Sequence, residues 1–195
     1  MKKVFGNLKG LKSNQLRRLE NLYRRRIPPE FIITPELARD LGGLSAEIKR
    51  QIGLLVNRQG KIVFVIAGDH QRIVIPDLSD YRIAAGRLRG LRCIHTHLGH
   101  EPLTTDDLTD LALLRLDLMA VMTLSPDGRP AEIHAGHILP RATQRQPYQL
   151  MPPLTPQQLN IGCLELIRAL EAELIDATRT RSAGTQPEKA IGTSA

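Results

Sequence analysis

The stretch from Arg92 to Asp117 limits the possible folds more than any other part of the chain. A short apolar run ends in His95-Thr-His97, a loop containing Pro102 follows, and Thr104-Thr-Asp-Asp107 then opens a helical pattern. The run is short and bounded by turn residues, so it reads as a strand that feeds a helix. Strand side chains repeat every second residue, which puts His95 and His97 on one face. Asp107 enters from the first helical turn beside them. Two imidazoles and one carboxylate leave one tetrahedral position open, the arrangement with which a catalytic zinc activates water. The same residues admit a structural account. Thr104 and Asp107, three positions apart, outline a capping box, and histidines at a strand end can hydrogen-bond a loop.

The segments around this stretch alternate in type. Ser13 to Arg26 is helical, with Leu16, Leu19 and Tyr23 on one stripe, Ser13 as N-cap and Pro28-Pro29 beyond the end. Thr34-Pro35-Glu36 starts a second helix that runs to about Arg50 and is expected to break or bend at Gly42-Gly43. Ile52 to Val56 and Lys61 to Ala67 flank Asn57-Arg-Gln-Gly60 and read as a hairpin, with a third strand at Arg72 to Ile75. Pro76 to Leu91 reads as a loop with a short helical turn. Beyond the Asp107 helix come a strand at Leu118 to Leu124, a Ser-Pro-Asp-Gly turn and a strand at Ala131 to Leu139. His134 and His137 fall there on opposite faces and read as structural. Pro140 to Pro153 is a polar connector, and Thr155-Pro156-Gln157-Gln158 caps a last helix.

This order predicts a mixed α/β domain around one sheet. The expected divisions are a basic helical arm over 1–30, the α/β domain over 31–153, a C-terminal helix over 154–178 and a disordered tail or truncated linker over 179–195. Aromatic residues are only 3% of the chain and tryptophan is absent, so Leu, Ile, Val and Ala must fill the interior. Cys93 and Cys163 lie inside apolar segments and read as buried thiols of a reducing compartment, without a disulfide. No segment resembles a signal peptide or a membrane span, so the expected location is cytoplasmic and no membrane partner is expected.

Charge is segregated. Residues 1–26 hold nine Lys or Arg against the single acid Glu20, whereas the rest of the chain is close to neutral despite an overall charge of +7. Arg17, Arg18, Arg24 and Arg25 fall opposite the apolar stripe of the first helix, and Arg26 extends the cluster. Such a face attracts a polyphosphate, because each neutralised phosphate releases condensed counterions. A solvated surface and a membrane headgroup layer are the alternatives. Gly6-Asn-Leu-Lys-Gly10-Leu-Lys12-Ser13 is only superficially a phosphate-binding loop. It has three residues between its glycines where four are needed, and Leu11 separates Gly10 from Lys12, so no nucleotide-binding residues are assigned.

Two family resemblances rest on these residues. Strand, His-x-His, loop, Thr-x-x-Asp and helix, preceded by a helix and a hairpin, resemble the JAMM or MPN fold of zinc isopeptidases. That resemblance implies a mixed sheet with flanking helices in cytidine-deaminase-like layering, with zinc on His95, His97 and Asp107. Thr104 stands where the family carries Ser. The loop from Leu98 to Leu103 is one residue shorter than the family's and lacks its Pro directly after His97. The family's glutamate base belongs near Lys49 to Gln51. Arg50 and Gln51 occupy that region, and Glu47 is the acid nearest to it, hence the candidate catalytic proton shuttle.

The second resemblance covers most of the chain. Gly6-Asn-Leu-Lys-Gly-Leu-Lys12, the segment from Leu16 to Glu30, Thr34-Pro-Glu-Leu-Ala-Arg-Asp-Leu41, His95-Thr-His-Leu98 and the segment from Glu101 to Asp117 resemble the N-terminal extension of some bacterial HflX-type GTPases. It implies a ribosome-associated module beside a G domain in cis, with the large subunit or rRNA as partner and GTP and Mg handled by that G domain. The chain has no phosphate-binding loop and no Asn-Lys-x-Asp motif. Glu188-Lys-Ala-Ile-Gly192 resembles the start of the next domain, so the expectation is a fragment or stand-alone version of the extension. A JAMM-like zinc hydrolase and a pure protein-interaction domain are the alternative functions.

Overall fold

The computed structural model describes residues 4–28, 31–78, 82–84, 87–88, 90–138, 148–156 and 158. Their frame is a seven-stranded mixed sheet. The strands are β1 (Val4–Gly6), β2 (Ile52–Asn57), β3 (Ile62–Ala67), β6 (Leu91–His97), β7 (Leu118–Leu124), β8 (Pro130–Ile138) and β9 (Tyr148–Leu150), in the spatial order β1-β3-β2-β6-β7-β8-β9. A small ribbon of β4 (Arg82–Ala84) and β5 (Arg87–Leu88) stands apart. The pairs β1/β3 and β6/β7 are parallel and the remaining pairs antiparallel. The chain is thus a mixed α/β fold, as the order of segments predicts.

Three helices cover the two faces: α1 (Ser13–Leu22), α2 (Pro35–Ile48) and α3 (Thr105–Leu113). Alternation along the strands divides the apolar residues between the faces. Leu54, Val56, Ile94, Ala120 and Met122 form one cluster with Leu19 and Leu22 of α1 and Leu37, Leu41 and Leu44 of α2. Leu55, Cys93 and Met119, each one residue out of phase with that set, pack with Leu111 of α3, Leu91 and Leu116 on the opposite face.

Local chemistry accounts for the elements that were anticipated. Asn57 closes the β2/β3 hairpin by accepting backbone N–H groups of Gln59 and Lys61 on its side chain. The Thr34 hydroxyl caps α2, with Pro35 in the first turn, and Lys49 at φ 54° ends it. Helix α2 runs without a break through its glycines. A methyl group at Gly42 would lie 2.6 Å from the Gly128 carbonyl oxygen, so Gly42 is where the helix meets the β7/β8 turn.

Several boundaries differ from expectation. α1 starts beyond Lys12, whose N–H is taken by the Gln15 side chain, and ends at Leu22, so Arg24, Arg25 and Arg26 lie past the helix. Arg72 to Ile75 is not a strand. The Asp69 carboxylate accepts the N–H groups of Gln71 and Arg72 and turns the chain, and Ile73 and Ile75 then alternate because they lie on the core of the α3 face. Where a helical turn was expected within 76–91, the described residues form the β4/β5 ribbon. The 140–153 connector contains β9, and a strand, β1, precedes the Gly6–Ser13 loop. The His95-Thr-His97 strand, the Thr104-capped helix and the β7/β8 pair stand where predicted. The C-terminal helix and tail fall outside the described residues apart from the first cap, where the Gln158 amide oxygen accepts the N–H and hydroxyl of Thr155.

Candidate metal centre

β6 carries His95 and His97 at its C-terminal end, between β2 and β7, where Gly53 faces His95 and Thr123 faces His97 in the ladders. Thr96 between them points the other way. Its hydroxyl accepts the Ile52 N–H at 2.9 Å and pairs with the Ser45 hydroxyl of α2 at 2.7 Å. The strand is therefore clamped from the α2 side, and the imidazoles project towards α3.

Helix α3 delivers the third group. The Asp107 carboxylate completes the capping box: Oδ2 accepts the Thr104 N–H at 2.8 Å and the Thr104 hydroxyl at 2.7 Å, while the Asp107 N–H donates to the Thr104 hydroxyl at 3.2 Å. Its other oxygen, Oδ1, lies 3.1 Å from His95 Nε2. The capping and ligand accounts of Asp107 are thus compatible. The cap fixes the rotamer that aims the carboxylate at the imidazoles.

The three groups converge closely enough to hold a metal ion. The two Nε2 atoms are 3.1 Å apart, and His97 Nε2 is 3.7 Å from Asp107 Oδ2. Ligand atoms at ~2.0–2.1 Å from a tetrahedral zinc are ~3.3 Å from one another, so the spacing suits such an ion. His97 Nδ1 lies 2.8 Å from the Glu101 carbonyl oxygen, which can only accept. Nδ1 therefore carries the proton, and the neutral ring turns the Nε2 lone pair inwards. Burial, reinforced by His95, pushes the His97 pKa down and favours that neutral form. His95 is 1% exposed and its Nδ1 has no partner among the described residues, so only one of the two rings is steered by a backbone carbonyl.

Burial pushes the Asp107 pKa up, but the hydrogen bond and charge of His95 and the two bonds from Thr104 outweigh it, holding the group at about 2. Cys93 shares this face. Burial, then Asp107 and Asp110, push its thiol up, and it is not among the three groups that converge. Asp110 lies one turn along α3 from Asp107, outside the three converging groups. Burial, aided by Asp107 and Asp106, raises its pKa against the opposing pull of His95. Its spacing of three from Asp107 was the available sequence signal.

The remaining predicted residues lie elsewhere. Glu47 is on α2, across the sheet from the imidazoles, and its carboxylate accepts from Gln15 at 3.0 Å and from Arg18. The fold does not bring it to the cluster. Arg18 and Arg25 form exposed ion pairs with Glu47 and Asp40, bordering a groove between α1 and α2 floored by Leu22 and Leu44. Arg17 and Arg24 make no ion pair among the described residues, and Arg26 bridges Lys61 through its backbone. His134 shares the imidazole face two strands away and pairs with Glu132 at 3.1 Å.

Fold and site together define a mixed α/β domain with a three-residue candidate metal centre at a strand end. Comparison with protein-family models, with curated proteins and with solved structures finds no match. Among the described residues, no helix is long and apolar enough to cross a membrane.

Proposed function

We propose that the chain is a metal-holding, MPN/JAMM-like module that takes zinc on His95, His97 and Asp107. In this reading it serves as the N-terminal module of an HflX-like, ribosome-associated GTPase in the cytoplasm, with GTP and Mg belonging to a G domain outside this chain. The observation that supports the metal is the set of Nε2–Nε2 and Nε2–carboxylate separations, 3.1, 3.1 and 3.7 Å, on a buried site whose His97 tautomer is already suited to ligation. Bound there, zinc would supply a polarised water. Glu47 lies on the wrong side of the sheet to move a proton, which favours a scaffold over a hydrolase. Elemental analysis of the purified chain tests the reading. About one zinc per chain, lost in His97→Ala, supports it; no zinc in either protein after reconstitution rejects it.

The basic arm supports docking on rRNA or on the large ribosomal subunit. Arg18 and Arg25 are already compensated by acids, so Arg17 and Arg24 are expected to carry most of the contact. Ribosome pelleting over a salt series should lose affinity steeply, and Arg17→Ala with Arg24→Ala should lower the salt slope by about one per lost phosphate contact. Unchanged pelleting would remove the arm from the reading and leave a protein-interaction domain.

One placement keeps hydrolysis as a second reading: Asp110 lies one turn from Asp107 on α3, and burial pushes its carboxyl pKa up. Amide hydrolysis by the zinc-loaded chain, lost in Asp110→Asn with zinc retained, would establish it.

A further inference from the structure

Gln51 stands immediately before β2 with its backbone N–H and carbonyl engaged and its side-chain oxygen unpaired. Its N–H donates to the Asp69 carbonyl and its carbonyl accepts the Gly68 N–H, both at 2.8 Å, so the hairpin ladder extends through it. The residue is 4% exposed, yet its amide oxygen has no hydrogen-bond partner among the described residues. A buried acceptor left unpaired is destabilising unless something outside the protein satisfies it.

Register places this side chain. Gly53 pairs with His95 and Leu55 with Cys93, all on the α3 face, and the Ile52 N–H reaches the Thr96 hydroxyl. Two residues beyond the last pair of that ladder, continued alternation sets Gln51 at the level of His97, on the face the imidazoles occupy. Directly opposed side chains in such a pair have β-carbons ~4.5–5.5 Å apart. Ile73 packs over Gly53 on this face and closes the apolar side next to His95. The polar end of the face thus carries two imidazoles and one carboxylate, and the orphaned amide oxygen belongs to a residue on that same face.

We propose that Gln51 is the fourth polar group of the metal centre, its amide oxygen accepting a hydrogen bond from the water that completes the ion's coordination. An amide oxygen is a poor competitor for a borderline ion beside two imidazoles and a carboxylate, but a good acceptor for a bound water. It carries no proton away. Gln51 therefore holds the water in place without acting as a base, which makes it a positioning residue and fits the scaffold reading. The inference rests on the metal reading above and adds a residue outside the ligand set.

The test is a titration of the metal-free full chain with Co(II) alone, read by visible absorption, in wild type, Gln51→Leu and Gln51→Glu. Far-UV circular dichroism and a thermal melt confirm that each variant folds. Gln51→Leu should weaken Co(II) binding about 10- to 100-fold and shift the absorption band, as loss of an outer partner of a metal site does. Gln51→Glu, which keeps the shape and adds a charge, should tighten binding about tenfold or more. If both variants keep the wild-type affinity and band, the role of Gln51 is refuted while the three-ligand site stands. Should Gln51→Leu fail to fold, the Gln51→Glu titration decides alone. A wild-type chain that binds no Co(II) overturns the metal reading and this inference together.

Discussion

At the scale of single residues, Asp107 serves two partners with one carboxylate. Oδ2 closes the cap with Thr104, and Oδ1 faces His95. Thr104 therefore bears on stability and, under the proposed metal reading, on ion binding as well. Thr104→Ala should cost about 1 kcal/mol in urea unfolding of the metal-free chain, as loss of an N-cap does. It should also weaken metal binding about 10- to 100-fold, because the carboxylate loses its orienting hydroxyl. Glu47 offers a pH-dependent counterpart. Its carboxyl is held below the ordinary carboxylate range, first by Gln15 and then by Arg18. Because the folded value lies below the unfolded one, its stabilising contribution is complete above the unfolded pKa and fades as pH falls through the folded value. An NMR titration should find the Glu47 midpoint depressed in the native chain and raised in Gln15→Ala. The sequence brought out His95, His97 and Asp107 because alternation and capping are local rules. Glu47 is a candidate by proximity in sequence to β2, which says nothing about which face of the sheet α2 covers. The sequence shows Gln51 only as the occupant of a position, since an orphaned amide is visible only once burial is known.

At the scale of elements, two neighbouring glycines separate what a pattern can and cannot reveal. Gly42-Gly43 reads as a break from composition, yet α2 is continuous through both. A methyl group at Gly42 would lie 2.6 Å from the Gly128 carbonyl oxygen and 3.0 Å from Leu124, whereas one at Gly43 meets nothing within 4 Å. Gly42→Ala should therefore destabilise the chain by about 1–3 kcal/mol through overpacking. Gly43→Ala should stabilise it by about 0.5–1 kcal/mol through helix propensity. Opposite shifts in urea midpoint would check the pair. The β2/β3 hairpin and the α3 cap were legible because Asn57 and Thr104 act within a few residues. The short strands β1 and β9 were not, since each is three residues long and is defined by the strand it pairs with. The supposed strand at 72–75 shows the converse. Its apolar alternation is genuine, but it arises from lying on the core and not from a ladder.

At the scale of the whole molecule, the division of the core into two faces governs what ion removal should do. The α1/α2 cluster and the α3 cluster are both built from apolar packing, and neither includes any of the three candidate ligands. The sheet should therefore stand without metal, unlike small domains that fold only around zinc. Chelation should leave the far-UV circular dichroism unchanged and lower the melting temperature only by the ligand-linkage contribution, about 2.7 kcal/mol at a free ion concentration 100 times Kd. Loss of secondary structure on chelation would contradict this. The Thr96 clamp gives the same idea a kinetic form. With Ser45 and the Ile52 N–H gripping β6 from behind, the distance between the two rings is set before any ion arrives. The seat resembles a machined socket more than a keystone, and ions of different radius should be sorted by how well they tolerate a spacing they cannot alter.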